Sequence, residues 1–206
     1  MQSLPRRFAP RNSNMKNKII ISICGAAGTG KSALANEMTF ALGKDLACRI
    51  PTDYFLKSYM GMPYEEFIST PFKYDWNLLN ELLIKPIGSE VETPVYDFTK
   101  FVRMNKTGGR TLILRRYIII DSLLPYPKSN FIIKLTSPED LRMVKIKKRD
   151  SSQGVNSIKN WQKMEITAKL LNDGEYKYSL VLNGEDKTRE NAAKIVEYLQ
   201  GEGLAG

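Results

Sequence analysis

Continuous apolar runs alternate along this chain with segments whose apolar residues recur at helical spacing. Residues 18–24 (KIIISIC) form a β-branched run with the length of a strand that is buried on both faces. A glycine-rich turn follows directly, and residues 32–43 then carry apolar side chains at helical spacing. This pattern stops at Gly43, a residue type that commonly follows the last turn of a helix. The first part of the chain therefore predicts a strand, a tight turn and a helix.

The same alternation continues to the end of the chain. Further strands are predicted near residues 47–51, 117–121, 131–137 and 178–184. Further helices are predicted near residues 76–86, 137–150, 158–173 and 188–201. Residues 91–103 have strand-like composition around Pro94, and the KTGG turn after them leads into a hairpin-like segment, 110–114. Strands that alternate with helices predict an α/β fold with a mainly parallel sheet that is covered on both faces.

Length and composition favour one domain. The chain has 206 residues, of which 42% are hydrophobic and 26% are charged, as expected for one sizeable core. Residues 1–17 contain Arg and Pro without hydrophobic periodicity, so we expect a disordered basic tail before a domain that spans 18–206. No apolar run approaches the roughly 20 residues that cross a bilayer, and we therefore expect no membrane partner.

Cysteine and histidine usage narrows the chemistry. Cys24 and Cys48 are the only cysteines and lack CxxC or zinc-site spacing, and the chain contains no histidine. A zinc centre and a histidine general base are therefore excluded. Two cysteines in apolar surroundings favour a reducing compartment, so we expect a cytoplasmic protein.

The positive charge of the chain is unevenly distributed. The formal net charge is +9, and residues 1–18 carry five cations and no carboxylate, since the first carboxylate is Glu37. More than half of the excess therefore lies in or beside the predicted tail. This distribution argues against a nucleic-acid-binding surface on the domain.

The glycine-rich turn after the first strand reads GAAGTGKS, residues 25–32, and satisfies G-x-x-x-x-G-K-[ST]. In such a loop, backbone N–H groups and the N-terminus of the following helix bind phosphate oxygens. Lys31 would reach the β- and γ-phosphates, and Ser32 would ligate Mg²⁺. The nucleotide-binding loop is therefore expected to comprise Gly25, Ala26, Ala27, Gly28, Thr29, Gly30, Lys31, Ser32 and Ala33. The loop indicates a nucleoside triphosphate but does not identify the reaction.

Three further stretches, in their order and spacing after this loop, resemble the uridine kinase-like branch of the P-loop kinases. They are TDYFLKSY (52–59), PVYDFTKFVR (94–103) and DLRMVKIKKRD (140–150). The branch includes uridine/cytidine kinases, phosphoribulokinase, nicotinamide riboside kinase and bacterial pantothenate kinase. The resemblance implies a P-loop NTPase fold with three α/β/α layers and a small helical lid, and it implies ATP and Mg²⁺ as cofactors.

The resemblance assigns two carboxylates to the reaction. Asp53 matches the residue beside the acceptor hydroxyl, where a carboxylate accepts the proton or helps to order Mg²⁺. Asp121 matches a Walker B-like position, so the implied metal set is Ser32, Asp53 and Asp121, with Lys31 and Asp53 as catalytic residues. From the residues alone, Asp53 also fits a turn or helix cap, and Asp121 also fits a plain strand end.

The resemblance places the acceptor site around PVYDFTKFVR and at Asp75. The implied acceptor-binding residues are Asp75, Tyr96, Phe98, Phe101 and Arg103. Phe101 stands where uridine kinases carry a histidine that reads the pyrimidine, and a phenyl ring cannot make its hydrogen bonds. As alternatives, Tyr96 and Phe98 fit core positions of a strand, and Asp75 fits the N-cap of the next helix.

The stretch DLRMVKIKKRD resembles the lid helix of the branch, whose cations close over ATP. Arg142, Lys145 and Arg149 match lid positions, and Arg149 is also expected to bind the nucleotide. The usual continuation Arg-Gly-Arg reads QGV at residues 153–155, so two lid cations are missing. A solvated basic helix end is the competing interpretation.

Together these features predict an ATP-dependent kinase for a small-molecule hydroxyl acceptor. The expected acceptor is the primary hydroxyl of a nucleoside or related riboside. The alternative is a nucleotide-binding regulator or degenerate paralogue with little kinase activity, as the changes at Phe101 and in the lid suggest. The sequence leaves the identity of the acceptor and the formation of a homo-oligomer open.

Overall fold

The structure is a computed structural model that describes residues 17–59, 61, 63, 66–67, 73–97, 100, 102–104, 108–152, 169 and 176–204. The predicted tail up to residue 16 lies outside this part of the chain, and so does all but one residue of the predicted helix at 158–173. Phe98, Phe101 and residues 153–155 also lie outside the described residues.

The described helices and strands follow the predicted pattern. They are, in chain order, β1 (Ile19–Cys24), α1 (Lys31–Ala41), β2 (Ala47–Pro51), a short 3-10 helix (Thr52–Phe55), α2 (Trp76–Leu83), β3 (Glu90–Glu92), β4 (Val95–Asp97), β5 (Val102–Met104), β6 (Thr111–Ile113), β7 (Tyr117–Ser122), β8 (Phe131–Thr136), α3 (Glu139–Ser152), β9 (Leu180–Asn183) and α4 (Thr188–Gly201).

Among the described residues, five strands form one sheet in the order β2-β7-β1-β8-β9. Every pairing in this sheet is parallel, which confirms the prediction of a mainly parallel sheet. The carboxyl ends of these strands therefore meet at one edge, and this edge is where ligands bind in open α/β folds.

Apolar side chains cover both faces of the sheet. On one face, Ile21 and Ile23 of β1 pack with Leu34 and Met38 of α1 and with Ile195 of α4. On the other face, the alternate residues of β1 and β7 pack against α2. Successive strand residues point to opposite faces, so one continuous apolar run serves both layers. The expected three-layer α/β/α arrangement is confirmed.

Two short antiparallel strand pairs lie beside the main sheet, β3 with β6 and β4 with β5. The segment predicted to fold back as a hairpin before β7 instead pairs with β3, with Leu112 opposite Val91. The hairpin prediction was wrong because β1 and β2 already occupy both edges of β7.

Helix α1 ends as the sequence predicts. Gly43 has a φ of 91°, and its N–H donates to the carbonyl of Phe40 at 3.1 Å. The left-handed conformation at this position favours glycine, which has no Cβ.

Candidate active site

A pocket of about 400 Å³ lies at the carboxyl edge of the sheet. Its lining comes from the loop after β1, the 3-10 helix after β2, the end of β7 and helix α3. The lining residues are Ala27, Gly28, Gly30, Lys31, Ser32, Ala33, Asp53, Asp121, Ser122, Leu123, Lys145, Ile146 and Arg149. The fold therefore brings together four sequence segments that were proposed separately as parts of one site.

Glycine is required at two points of the loop for steric reasons. Gly28 has a φ of 82°, and a Cβ built on it would lie 2.7 Å from the carbonyl oxygen of Arg142. A Cβ on Gly25 would lie 2.3 Å from the carbonyl oxygen of Leu135. The loop thus packs directly on the backbone of β8 and α3.

Three predicted loop residues, Gly25, Ala26 and Thr29, are not among the described residues that line the pocket. The Thr29 hydroxyl is buried and donates to the carbonyl of Ala26 at 2.9 Å. These residues shape the loop, whereas the other predicted loop residues face the pocket.

Lys31 lies inside the pocket with its ammonium close to the loop. Its Nζ donates to the carbonyl oxygen of Ala26 at 2.8 Å. Burial lowers the pKa of Lys31, while the carboxylates of Asp121 and Asp53 oppose that shift. The ammonium retains donors for a phosphate group, because one contact uses only one of its three N–H bonds.

Asp53 lies in the 3-10 helix after β2 and lines the pocket. Its side chain is exposed at the pocket, and the walls of the pocket shield the carboxylate from bulk water. Burial and the neighbouring Asp121 raise the pKa of Asp53, and nearby cations, Lys31 first among them, partly offset this shift. A carboxylate with a raised pKa beside a phosphate-binding loop is suited to accept a proton from a hydroxyl group.

Asp121 lies at the end of β7 and is almost fully buried. Its Oδ2 accepts from Nη2 of Arg49 at 2.5 Å. The hydroxyl of Thr52 donates to the backbone carbonyl of Asp121 at 3.0 Å. The predicted strand-end carboxylate therefore lines the pocket and is held by groups from β2 and the turn after it.

Sequence reasoning missed two cations near these carboxylates, Arg49 and Lys73. Lys73 is 2% exposed, burial lowers its pKa to about 8, and Asp53 opposes the shift. The available signals were weak: Arg49 is a charged residue inside a short strand, and Lys73 lies in an irregular aromatic segment. Both add positive charge around the two carboxylates.

The donor set in the pocket fits Mg²⁺. Ser32, Asp53 and Asp121 offer one hydroxyl and two carboxylates, the hard oxygen ligands that this ion prefers. Across the described residues there is no group of three or more carboxylate, thiol or imidazole side chains that could hold a metal ion unaided.

The predicted lid residues divide into two groups. Lys145 and Arg149 line the pocket, and Nζ of Lys145 also pairs with Oε1 of Glu185 at 2.7 Å. Arg142 is buried instead, and it donates to the carbonyl oxygens of Ser137 at 3.1 Å and Ala27 at 3.3 Å. Arg142 thus braces the phosphate loop against α3.

The predicted acceptor residues Asp75, Tyr96 and Arg103 are not among the described residues of the pocket lining. Asp75 caps α2, as its Oδ1 accepts from the N–H of Leu78 at 3.1 Å, and its Oδ2 accepts from Nη1 of Arg103 at 2.8 Å. The N-cap alternative for Asp75 is thus observed. Burial raises the pKa of Asp75, but the Arg103 and Leu78 donors outweigh burial and lower it.

Arg103 and Tyr96 hold the chain that follows Asp53. Arg103 Nη2 donates to the carbonyl of Leu56 at 3.0 Å, and the Tyr96 hydroxyl donates to the carbonyl of Lys57 at 3.3 Å. Both contacts fix the backbone within four residues of the candidate base. An acceptor-binding role for Asp75, Tyr96 and Arg103 stays a prediction.

Arg103→Met should destabilise the protein, because it leaves the partly buried carboxylate of Asp75 without its cation. The expected loss is about 1–3 kcal/mol in the free energy of unfolding, measured by denaturant titration. Arg189→Met changes an exposed arginine of α4 and should cost less than about 0.5 kcal/mol. Equal stability of the two variants would contradict the bracing role of Arg103.

No protein-family model matches the chain. The uridine kinase of Staphylococcus haemolyticus is 33% identical over 98 residues, which are 45% of this chain and 47% of that protein. The uridine kinase of Chloroflexus aggregans is 27% identical over 155 residues, 70% of this chain and 73% of that protein. The chain is thus similar to uridine kinases over part of its length. These relatives bear out the predicted enzyme class, a phosphotransferase with an alcohol acceptor.

Solved structures support the fold. A protein described as a fructose transport system kinase, from Silicibacter sp. TM1040, superposes with a TM-score of 0.61 at 19% identity, covering 85% of this chain and 93% of that one. Shikimate kinase from Acinetobacter baumannii has a TM-score of 0.51 at 15% identity, covering 91% and 96%. The chain therefore has the fold of the P-loop kinases.

The helices of the structure bear on whether the chain could cross a membrane. Within the described ranges, no helix is both long and apolar enough to cross a bilayer.

Proposed function

We propose that this chain is an ATP-dependent kinase that transfers the γ-phosphate to the primary hydroxyl of a nucleoside or a related riboside. The observation that carries the proposal is the pocket in which Lys31, Ser32 and Asp53 share one cavity with Asp121. The relatedness to uridine kinases supports the acceptor class.

The phosphate loop would hold the donor. The backbone N–H groups after β1, the N-terminus of α1 and the ammonium of Lys31 all favour anionic oxygens at the pocket floor. Mg²⁺ bound together with ATP would neutralise part of the phosphate charge. Ser32, Asp53 and Asp121 would hold this ion.

Asp53 would act on the acceptor. Its carboxylate accepts the proton of the attacking hydroxyl as the new bond from oxygen to the γ-phosphorus forms and ADP leaves. Lys145 and Arg149 place positive charge on the α3 side of the same cavity, where it stabilises charge on the transferred group. Most of the rate then comes from positioning and charge stabilisation.

The proposal includes a cytoplasmic location. Cys24 and Cys48 are both free thiols in this structure, which agrees with a reducing compartment.

An acceptor panel tests the function. Purified protein with ATP and Mg²⁺ is offered nucleosides, other ribosides, pantothenate and glycerate, and ADP formation is followed. We expect strong stimulation by at least one nucleoside or riboside, with its 5′-deoxy counterpart inactive. Stimulation by pantothenate or glycerate alone would contradict the acceptor class.

A nucleotide-binding regulator with little kinase activity is the second candidate. It is favoured by two ion pairs that hold predicted working residues in the structure, Asp121 with Arg49 and Lys145 with Glu185. ATP-induced thermal stabilisation without acceptor-stimulated ADP formation would support this candidate over the kinase.

A further inference from the structure

We propose that Arg49 is a positioning residue that orients the carboxylate of Asp121 for Mg²⁺ and nucleotide binding. The inference rests on the proposed function, because it assigns a metal-binding role to Asp121. Arg49 lies outside the phosphate loop and outside the three stretches that resemble the uridine kinase-like branch.

The sheet register explains how the two side chains meet. In the β2–β7 ladder, Arg49 lies opposite Ile119 and Pro51 lies opposite Asp121. Ile119 and Asp121 are two residues apart and project to the same face of the sheet. Arg49 is therefore a diagonal neighbour of Asp121, at a distance that a long side chain spans.

Helix α1 fixes the other end of the guanidinium. Nη1 of Arg49 donates to Oδ1 of Asn36 at 2.9 Å, while Nη2 donates to Asp121 at 2.5 Å. The guanidinium thus connects the helix that follows the phosphate loop to the carboxylate at the end of β7. A contact on one carboxylate oxygen restrains the side-chain rotation of Asp121 and thereby the position of its second oxygen.

The charge of Arg49 also suits this location. The neighbouring Asp121 raises the pKa of Asp53, and the positive charge of Arg49 opposes that effect at Asp53. A guanidinium stays charged at every physiological pH, so the compensation is permanent.

The ion pair between Arg49 and Asp121 is poorly suited to stabilise the fold. Nε of Arg49 is buried and has no hydrogen-bond partner among the described residues, and Arg49 donates to Oδ2 of Asp121 through Nη2. An unsatisfied buried donor costs free energy, and partly buried ion pairs often contribute little net stability. An orienting role for Arg49 accounts for the pair better than a stabilising one.

The test measures metal coupling without turnover. Binding of an ATP analogue with a non-hydrolysable β,γ-bridge is measured by calorimetry, once with Mg²⁺ and once with EDTA. The Kd in EDTA divided by the Kd with Mg²⁺ gives the metal coupling ratio. Arg49→Met should lower this ratio about 10- to 100-fold, because loss of a group that orients a metal ligand typically weakens metal binding by this much. The Kd in EDTA should change little. Arg49→Lys should restore part of the ratio, because it retains the charge without the fork geometry.

Two further variants keep the test decisive. Arg116→Met removes an exposed arginine at the opposite end of β7, beside the Tyr117 ring, and should keep the wild-type ratio. Asn36→Ala removes the anchor of Arg49 from an exposed helix position and should lower the ratio partially, even if Arg49→Met fails to fold.

The outcomes separate the two proposals. A wild-type ratio in folded Arg49→Met or, if that variant fails to fold, in Asn36→Ala would overturn the role of Arg49 alone. Equal weakening of the Kd values with Mg²⁺ and with EDTA would also overturn it, because the effect would then be structural. Absence of any analogue binding by the wild-type protein would contradict the proposed function, and the role of Arg49 with it.

Discussion

Asp53→Ala should lower phosphoryl transfer about 10²- to 10⁴-fold and leave ATP binding in EDTA largely intact. The reason is that the variant removes the proton acceptor at the pocket while the loop that binds phosphates is unchanged. Initial rates with the best acceptor and calorimetric titration with ATP measure the two effects. Full turnover by Asp53→Ala would remove this carboxylate from the mechanism.

Stability measurements make the Asp53 experiment specific. The fold raises the pKa of Asp53, so it favours the protonated carboxyl group, and the ionised form costs stability as the pH rises above the unfolded-state value. Asp53→Asn should therefore be at least as thermally stable as the wild type at neutral pH. Asp45→Asn, which changes an exposed carboxylate, should retain wild-type rates. A lower Tm for Asp53→Asn would contradict the electrostatic description of the site.

Lys31→Met is expected to have the other large effect. It removes the ammonium that would contact the β- and γ-phosphates, and the loss of such a donor in a preorganised site costs about 10²- to 10³-fold in rate. ATP affinity should fall as well, since Lys31 acts on the ground-state phosphates too. Calorimetry and initial rates measure the two losses.

Lys44→Met is the matched control for Lys31. Lys44 lies beyond the end of α1 with its ammonium 4.3 Å from the centroid of the Phe40 ring, away from the pocket lining. It should bind ATP and turn over normally. Wild-type affinity and rate in Lys31→Met would exclude the loop as the phosphate site.

The fold was predictable because the signal is local. Apolar runs and helical spacing specify β1, α1 and β7 from neighbouring residues, and the glycine-rich loop carries its own motif. The family resemblance singled out Asp53 and Asp121, and their place at the pocket follows from the fold, because each lies at the carboxyl end of a strand in one parallel sheet.

The ion pairs around the site were not predictable. The contact between Arg49 and Asp121 depends on the register of β2 against β7, which neither strand specifies alone. The ion pair between Asp75 and Arg103 joins the start of a helix to a short strand 28 residues away. The motif resemblance assigned both residues to acceptor binding and gave no sign that they contact each other. Long-range pairing of this kind follows from the folded chain rather than from local pattern.

Transfer of labelled phosphate tests the central claim most directly. Wild-type protein is incubated with [γ-³²P]ATP, Mg²⁺ and the best acceptor of the panel, beside the matching 5′-deoxy compound. We predict label on the primary hydroxyl of the acceptor, none on the 5′-deoxy compound, and about 10²- to 10⁴-fold slower labelling of the acceptor with Asp53→Ala. Label that stays in ATP or appears only as inorganic phosphate with every acceptor, although ATP binds, would contradict the assignment as a kinase.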